Sequence, residues 1–266
     1  MTADSPKHLL FRIRPSIIAS IGMVFAYILV FNGLATLPGI PYQDWFKSAG
    51  NALHTAVIPL AAGSALLVAF VWYSHWNYLW RDPVRLKTTA VMKAAMILWG
   101  VVIAVRLVGI RWSEVPPDLL ATILATGIGV GFAEETLFRG FFLRGMREGG
   151  RSEATAAIWT SVCFGLFHLP NLFLGMGLFG VVQLVLAALS GILLYVFRRQ
   201  WGYLWPAMIA HGTWDISTFL AVGYSSAWLS TLALPMMGVS VLMSILVYIS
   251  ILSNDRRIIT RPPVKP

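Results

Sequence analysis

Three observations predict an all-α membrane protein of about eight transmembrane helices: an apolar composition, a regular series of long apolar runs, and a lopsided placement of Lys and Arg. Of the 266 residues, 58% are hydrophobic and only 12% charged, with a mean hydropathy of +0.74. A soluble domain of this length does not carry so little charge. Crossing about 30 Å of hydrocarbon takes roughly 20 residues, and the chain offers eight such runs, at about 15–37, 52–73, 90–110, 118–142, 154–174, 177–197, 204–222 and 230–252.

The first run follows Arg12 and Arg14, exceeds the roughly 7–15 apolar residues of a signal peptide, and shows no small-residue cleavage site before the next loop. It reads as a retained anchor. The second and third flank a basic stretch holding Arg81, Arg85, Lys87 and Lys93. The fourth carries Glu134, Glu135 and Arg139, and the fifth carries Cys163, Phe164 and His168. The sixth ends before Arg198 and Arg199. The seventh opens with Pro206, a residue suited to a first helical turn, and contains His211 and Asp215. The eighth precedes the Pro-rich end Arg261 to Pro266. With no repeat and no low-complexity tract, the economical reading is one integral membrane domain over 1–266.

The basic residues orient this series. With a cytoplasmic N-terminus, the inside segments hold Lys7, Arg12, Arg14, Arg81, Arg85, Lys87, Lys93, Arg144, Arg147, Arg151, Arg198, Arg199, Arg256, Arg257, Arg261 and Lys265, sixteen of the twenty Lys and Arg. Only Lys47, Arg106 and Arg111 fall outside, and Arg139 lies within a run. The positive-inside rule therefore places both termini in the cytoplasm. The net charge of +9 is accounted for by topology, and basic residues scattered through short loops form no nucleic-acid patch. The single cysteine, Cys163, forms no intrachain disulfide.

Ionisable groups inside hydrocarbon are costly and face partners, water or chemistry. His8, His54 and His75 lie near segment ends and read as interfacial. His168 and His211 lie inside runs, and with Glu134, Glu135, Arg139 and Asp215 they make up nearly all the titratable groups of the apolar segments in the second half. Glu135 and Arg139 are four residues apart, in the order that suits an ion pair on one helical face, and so are His211 and Asp215. Glu134 is rotated about 100° from Glu135, so one carboxylate can be held by Arg139 while the other faces a cavity. Phe164 stands one turn before His168. Taken singly, Glu135–Arg139 and His211–Asp215 are as consistent with structural pairing as with chemistry, and Phe164 reads as packing. Their coincidence supplies the parts for activating a water.

These three elements, Glu134-Glu135-x-x-x-Arg139, Phe164-x-x-x-His168 and His211-x-x-x-Asp215, resemble the signature motifs of the CPBP family. These are the CAAX-protease and bacteriocin-processing intramembrane proteases, which include the Ras-converting CAAX endopeptidase. The resemblance covers about 118–222. Asp215 departs from the eukaryotic-type CAAX enzymes, which carry Asn there, and leaves a prenylated substrate open.

The resemblance implies an intramembrane endopeptidase acting from the cytoplasmic side, in a bacterial or archaeal plasma membrane, and cutting near the C-terminus of a membrane-tethered, CAAX-type protein or peptide. Glu134 would be the general base assisted by His168, with His211 and Asp215 holding the water or stabilising the oxyanion, and Glu135, Arg139 and Phe164 in support. Glu134, His168, His211 and Asp215 could alternatively hold zinc, as family members have been described as metalloproteases. The absence of His-Glu-x-x-His favours the metal-free glutamate route. A non-proteolytic scaffold or bacteriocin-immunity protein of the same fold would not require a free base, and a proton-coupled transporter usually shows paired repeats. One mismatch of depth stands out. At 1.5 Å per residue, Glu134 and His211 fall about 8–14 Å from the cytoplasmic ends of their helices, but His168 falls about 20 Å along the fifth. A fifth helix starting as low as Ser152, or a tilted one, would remove it.

Overall fold

The computed structural model describes residues 11–82 and 85–259; Lys7, His8 and the Pro-rich end from Arg261 lie outside them. The described residues fold into eight long helices: α1 Ile17–Ala35, α2 Ala49–Ser74, α3 Ala90–Val108, α4 Pro117–Glu148, α5 Glu153–Phe167, α6 Leu178–Trp201, α7 Trp205–Tyr224 and α8 Ala233–Ile259. Side-chain oxygens cap four of them, with Ser16 accepting from the Ala19 amide, Ser48 from Asn51, Thr89 from Met92 and Ser152 from Thr155. Pro117 and Pro206 sit in the first turns of α4 and α7.

Six of the eight, α1, α2, α3, α4, α6 and α8, are long and apolar enough to cross a membrane. The other two qualify the sequence expectation. α5 has 15 residues, about 22 Å, and stops at Phe167 instead of running to 174. His168 takes the C-cap, and Pro170, which disfavours α geometry in the residue before it, sits in the 3-10 turn Leu169–Leu172 that follows. Ser152 is the N-cap, so α5 begins at the bundle's end and delivers His168 to mid-depth. That arrangement resolves the mismatch of depth. α7 has 20 residues but carries His211, Thr213, Asp215, Ser217 and Thr218 along its length.

The two ends of the bundle are built differently. At the basic end, the α2–α3 connection docks on the end of α6: the Asp82 amide donates to the Gly202 carbonyl at 2.6 Å, Leu86 to Arg199 at 2.8 Å, and Leu204 to Trp80 at 3.1 Å. Gly202 has φ +74°, and a Cβ there would lie 2.6 Å from the Asp82 oxygen, so both conformation and space require glycine. Buried ion pairs close this end. Asp82 pairs with Arg147 and with Arg199 at 2.8 Å, while Glu153 takes Arg199 and the Tyr195 hydroxyl at 2.6 Å. Burial raises the Glu153 carboxyl, but Arg199 beside it outweighs burial and holds it below the ordinary range. At the opposite end, Ser226 donates to Gly109 and Arg111 to Tyr224, each at 2.8 Å, tying the α3–α4 and α7–α8 connections together.

Between the ends, α4 is the axis. Phe138, Phe141, Phe142 and Leu137 are buried with Trp76, Phe164 and Tyr195 in the main core. Its closest partner is α7. A Cβ on Gly131 would sit 2.4 Å from the Met208 carbonyl oxygen, and one on Gly212 would sit 2.5 Å from that of Gly127. Small residues four apart allow this backbone approach, as at helix interfaces in membranes generally.

Candidate active site

Close approach of α4 and α7 places Glu135 against His211. The Glu135 carboxylate, fully buried, accepts from His211 Nδ1 and from Arg139 Nη1, each at 2.9 Å. Arg139 is pinned further by Nη2 donating to the Gly191 carbonyl at 2.9 Å and by its guanidinium lying 4.5 Å from the Phe164 ring centre. The segment Thr136–Phe142, which follows directly, is wound as a π-helix inside α4. Such bulges change which side chains share a face and concentrate at functional sites.

Glu134 is placed differently. It lines a cavity of about 1130 Å³ together with His168, His211, Asp215 and Phe164. Its Oε2 has no hydrogen-bond partner and lies 3.9 Å from His211 Nε2; Asp215 Oδ2 lies 3.8 Å from the same nitrogen. These gaps are too long for direct hydrogen bonds and suited to a bridging water. Thus His211 is held at one nitrogen by Glu135 and presents the other to two carboxylates. His168 faces the Phe164 carbonyl with Nδ1 at 3.0 Å; a carbonyl only accepts, so this nitrogen carries the proton and Nε2 is the acceptor. Both imidazoles meet the Phe164 ring edge-on, at centroid distances of 5.1 Å for His168 and 5.4 Å for His211. Phe164 therefore spaces the two histidines. His54 and His75 are exposed and do not line the cavity.

No group of three or more His, Cys, Asp or Glu among the described residues is arranged to hold a metal ion. His211 Nδ1 is held by Glu135 and His168 Nδ1 by a carbonyl, bonds that leave the Nε2 of each ring open to another partner and that also accompany metal-bound imidazoles.

The cavity runs toward one end only. Its rim includes Gln43, Lys47, Gly175, Gly223 and Met237, which belong to or adjoin the α1–α2, α5–α6 and α7–α8 connections, and no residue of the basic-end connections lines it. The expected opening toward the cytoplasm and the expected cytoplasmic basic end are therefore incompatible, because the mouth lies at the other end of the bundle. At the rim, Gln183 Nε2 donates to the Tyr42 hydroxyl at 3.3 Å and Asn171 donates to Gln183 at 2.9 Å. Burial pushes the Tyr42 phenol up to about 12, which keeps it neutral.

Sequence reasoning missed two groups of residues here. Gly127, Gly131 and Gly212 carry a signal, small residues four apart in a run that also bears the carboxylates. Arg106 and Trp214 carry none: the first counts only among the Lys and Arg outside, and nothing in the sequence singles out the second. Arg106 lies within α3 and lines the cavity.

Residues 116–217 match the family model described as type II CAAX prenyl endopeptidase, Rce1-like. No curated protein and no solved structure matches the chain. The matched stretch contains all three motifs.

Proposed function

We propose that the protein is an intramembrane endopeptidase in which Glu134 activates a water against a peptide carbonyl at the cavity floor. The observation that carries this reading is the Glu134 carboxylate, 8% exposed, with one oxygen unpartnered and 3.9 Å from His211 Nε2. A water bridging these groups loses a proton to Glu134 as its oxygen bonds to the carbonyl carbon. His168 Nε2 accepts a hydrogen bond from the water's other O–H, which stays on the attacking oxygen, and orients it. The oxyanion forms beside His211, whose charge Glu135 and Asp215 favour, and Glu134 returns its proton to the departing amide nitrogen as the C–N bond breaks. Glu135, Arg139 and Phe164 position His211 without touching the substrate.

The route is metal-free, with zinc held by Glu134, His168, His211 and Asp215 as the alternative. The substrate is a membrane-tethered protein or peptide, cut near its C-terminus. The distribution of Lys and Arg supports a cytoplasmic basic end, and on that reading the substrate enters from the opposite face of the plasma membrane. A non-proteolytic scaffold or immunity protein has no use for an unpartnered buried carboxylate. The test is to incubate the purified protein in detergent with prenylated and unprenylated C-terminal peptides, with and without chelator, and to measure its metal content. Cleavage that persists under chelation, in a preparation lacking stoichiometric metal, supports the glutamate route. Loss on chelation with recovery on adding zinc overturns it.

A further inference from the structure

The basic end holds more arginine than its ion pairs and the catalytic scheme use. Arg81, Arg144, Arg147 and Arg198 line a small cleft between the α2–α3 connection and the ends of α4 and α6, together with Asp82. Among the described residues, Asp82 pairs with Arg147 and Arg199, Glu153 with Arg199, and Glu148 with Arg144 at 2.9 Å, whereas Arg81 and Arg198 have no carboxylate within salt-bridge distance. Arg198, buried at the floor, meets carbonyls instead: Nη2 donates to Leu79 at 2.8 Å, Nη1 to Gly202 at 2.9 Å and Nε to Arg139 at 3.3 Å. Arg81 is exposed and lies 5.6 Å from the Tyr203 ring centre. Carbonyl dipoles and a ring face orient a cation without neutralising it. The cleft therefore keeps positive charge in excess.

Its surroundings set its depth. Trp80 precedes Arg81, Trp201 closes α6 one turn after Arg198, and Trp205 opens α7; all three are exposed, as tryptophans are at the headgroup level of a membrane. The cleft has a volume of about 10 Å³, room for one water-sized group. One phosphate oxygen fits that space, with Arg81 and the half-buried Arg144 at the rim for the rest of the group. Guanidinium donors suit phosphate oxygens, and basic pockets between helices take anionic headgroups. We propose that this cleft binds the phosphodiester of one anionic phospholipid, with one oxygen directed toward Arg198 and the remainder held between Arg81 and Arg144. Arg198 also holds the Arg139 carbonyl inside the π-helical turn, so the bound headgroup braces the half of α4 that follows Glu134 and Glu135. The site is separate from the catalytic cavity and does not depend on the peptidase reading.

The test is native mass spectrometry of the full chain, stripped of lipid in detergent and titrated with phosphatidylglycerol, with phosphatidylcholine, or with soluble glycerol phosphate. The wild type should bind one phosphatidylglycerol about tenfold more tightly than phosphatidylcholine, whose phosphodiester has its charge cancelled, and glycerol phosphate at matched concentration should not displace it. Arg81→Gln combined with Arg144→Gln should bring phosphatidylglycerol down to the level of phosphatidylcholine. Arg14→Gln, at an exposed arginine of the same end that does not line the cleft, should leave the preference unchanged. Equal binding of the two lipids, a double variant that keeps the preference, or an Arg14→Gln protein that loses it to the same extent overturns the proposal, the last by showing diffuse attraction in place of a site. Displacement by glycerol phosphate overturns the lipid assignment and makes the ligand a free phosphate ester. Should the double variant fail to fold, Arg81→Gln alone decides: it should weaken phosphatidylglycerol by about fivefold, and unchanged binding overturns the proposal.

Discussion

Glu134 and Glu135 are chain neighbours with opposite occupations, and the difference comes from what each one meets. Glu135 is sealed between His211 and Arg139, while Glu134 turns into the cavity. Replacing Glu134 with Gln keeps shape and removes the base, so turnover should fall by about 10²–10⁴-fold with little change in thermal unfolding, and parallel kinetics and melting curves check both. Arg139→Ala should do the reverse of isolating chemistry. It strands a buried carboxylate, costs about 3–5 kcal/mol, and should lower both Tm and activity; an inactive variant as stable as the parent would move Arg139 into the chemistry. These residues were legible because a charge in hydrocarbon needs a reason. Arg106 was not, since a cation in the last turn of a run is satisfied equally well by interfacial water, and nothing in one sequence shows that it turns inward onto Trp214.

At the scale of elements, the site depends on how closely α4 approaches α7. Gly131→Ala would drive a methyl group into the Met208 carbonyl, with a 2.4 Å clash to backbone, and should separate Glu135 from His211, lowering stability and activity together. Gly22→Ala, in α1 with nothing within 4 Å of the added carbon, is the matched control, and should leave activity intact and stabilise by roughly 0.5–1 kcal/mol through helix propensity. The ion cluster at the basic end makes a separate prediction. Because the folded Glu153 carboxyl is held below its ordinary range, its contribution is present above the unfolded pKa of about 4.3 and is lost as pH falls through the folded value. Melting curves of wild type and Glu153→Gln should therefore differ at neutral pH and converge on acidification. Most helix positions were readable from the apolar runs to within a few residues, although α4 runs on past 142 to Glu148 and α8 past 252 to Ile259. The early end of α5 at Phe167 was not, because apolar residues continue through Leu169, Leu172, Phe173 and Leu174, and a hydropathy reading does not see Pro170 stop the helix. The π-helical turn after Glu135 has no sequence signature either.

For the whole molecule, the charge asymmetry and the cavity set a joint constraint. The closed end carries the basic residues and the open end carries the rim, so which face of the membrane supplies the substrate follows from which end is cytoplasmic. In a Cys163→Ser background, a membrane-impermeant maleimide added to intact cells should label Lys47→Cys at the rim and spare Arg151→Cys at the basic end. The reverse pattern would mean that the positive-inside rule fails for this chain. The placement of Lys and Arg predicts the orientation of the termini, but the direction of the cavity emerges only when the helices are packed.

The central claim is that Glu134 turns this cavity into a peptidase. Its most direct test is cleavage of an anchored peptide by purified wild-type and Glu134→Gln proteins, matched for folding by their melting curves and followed by mass spectrometry in water enriched in ¹⁸O. The wild type should release C-terminal fragments and leave one ¹⁸O on the new carboxylate of the anchored product, while Glu134→Gln binds the peptide and is slower by at least about 10²-fold. Undiminished cleavage by Glu134→Gln, or no cleavage by a folded wild type of either prenylated or unprenylated peptides, would contradict it.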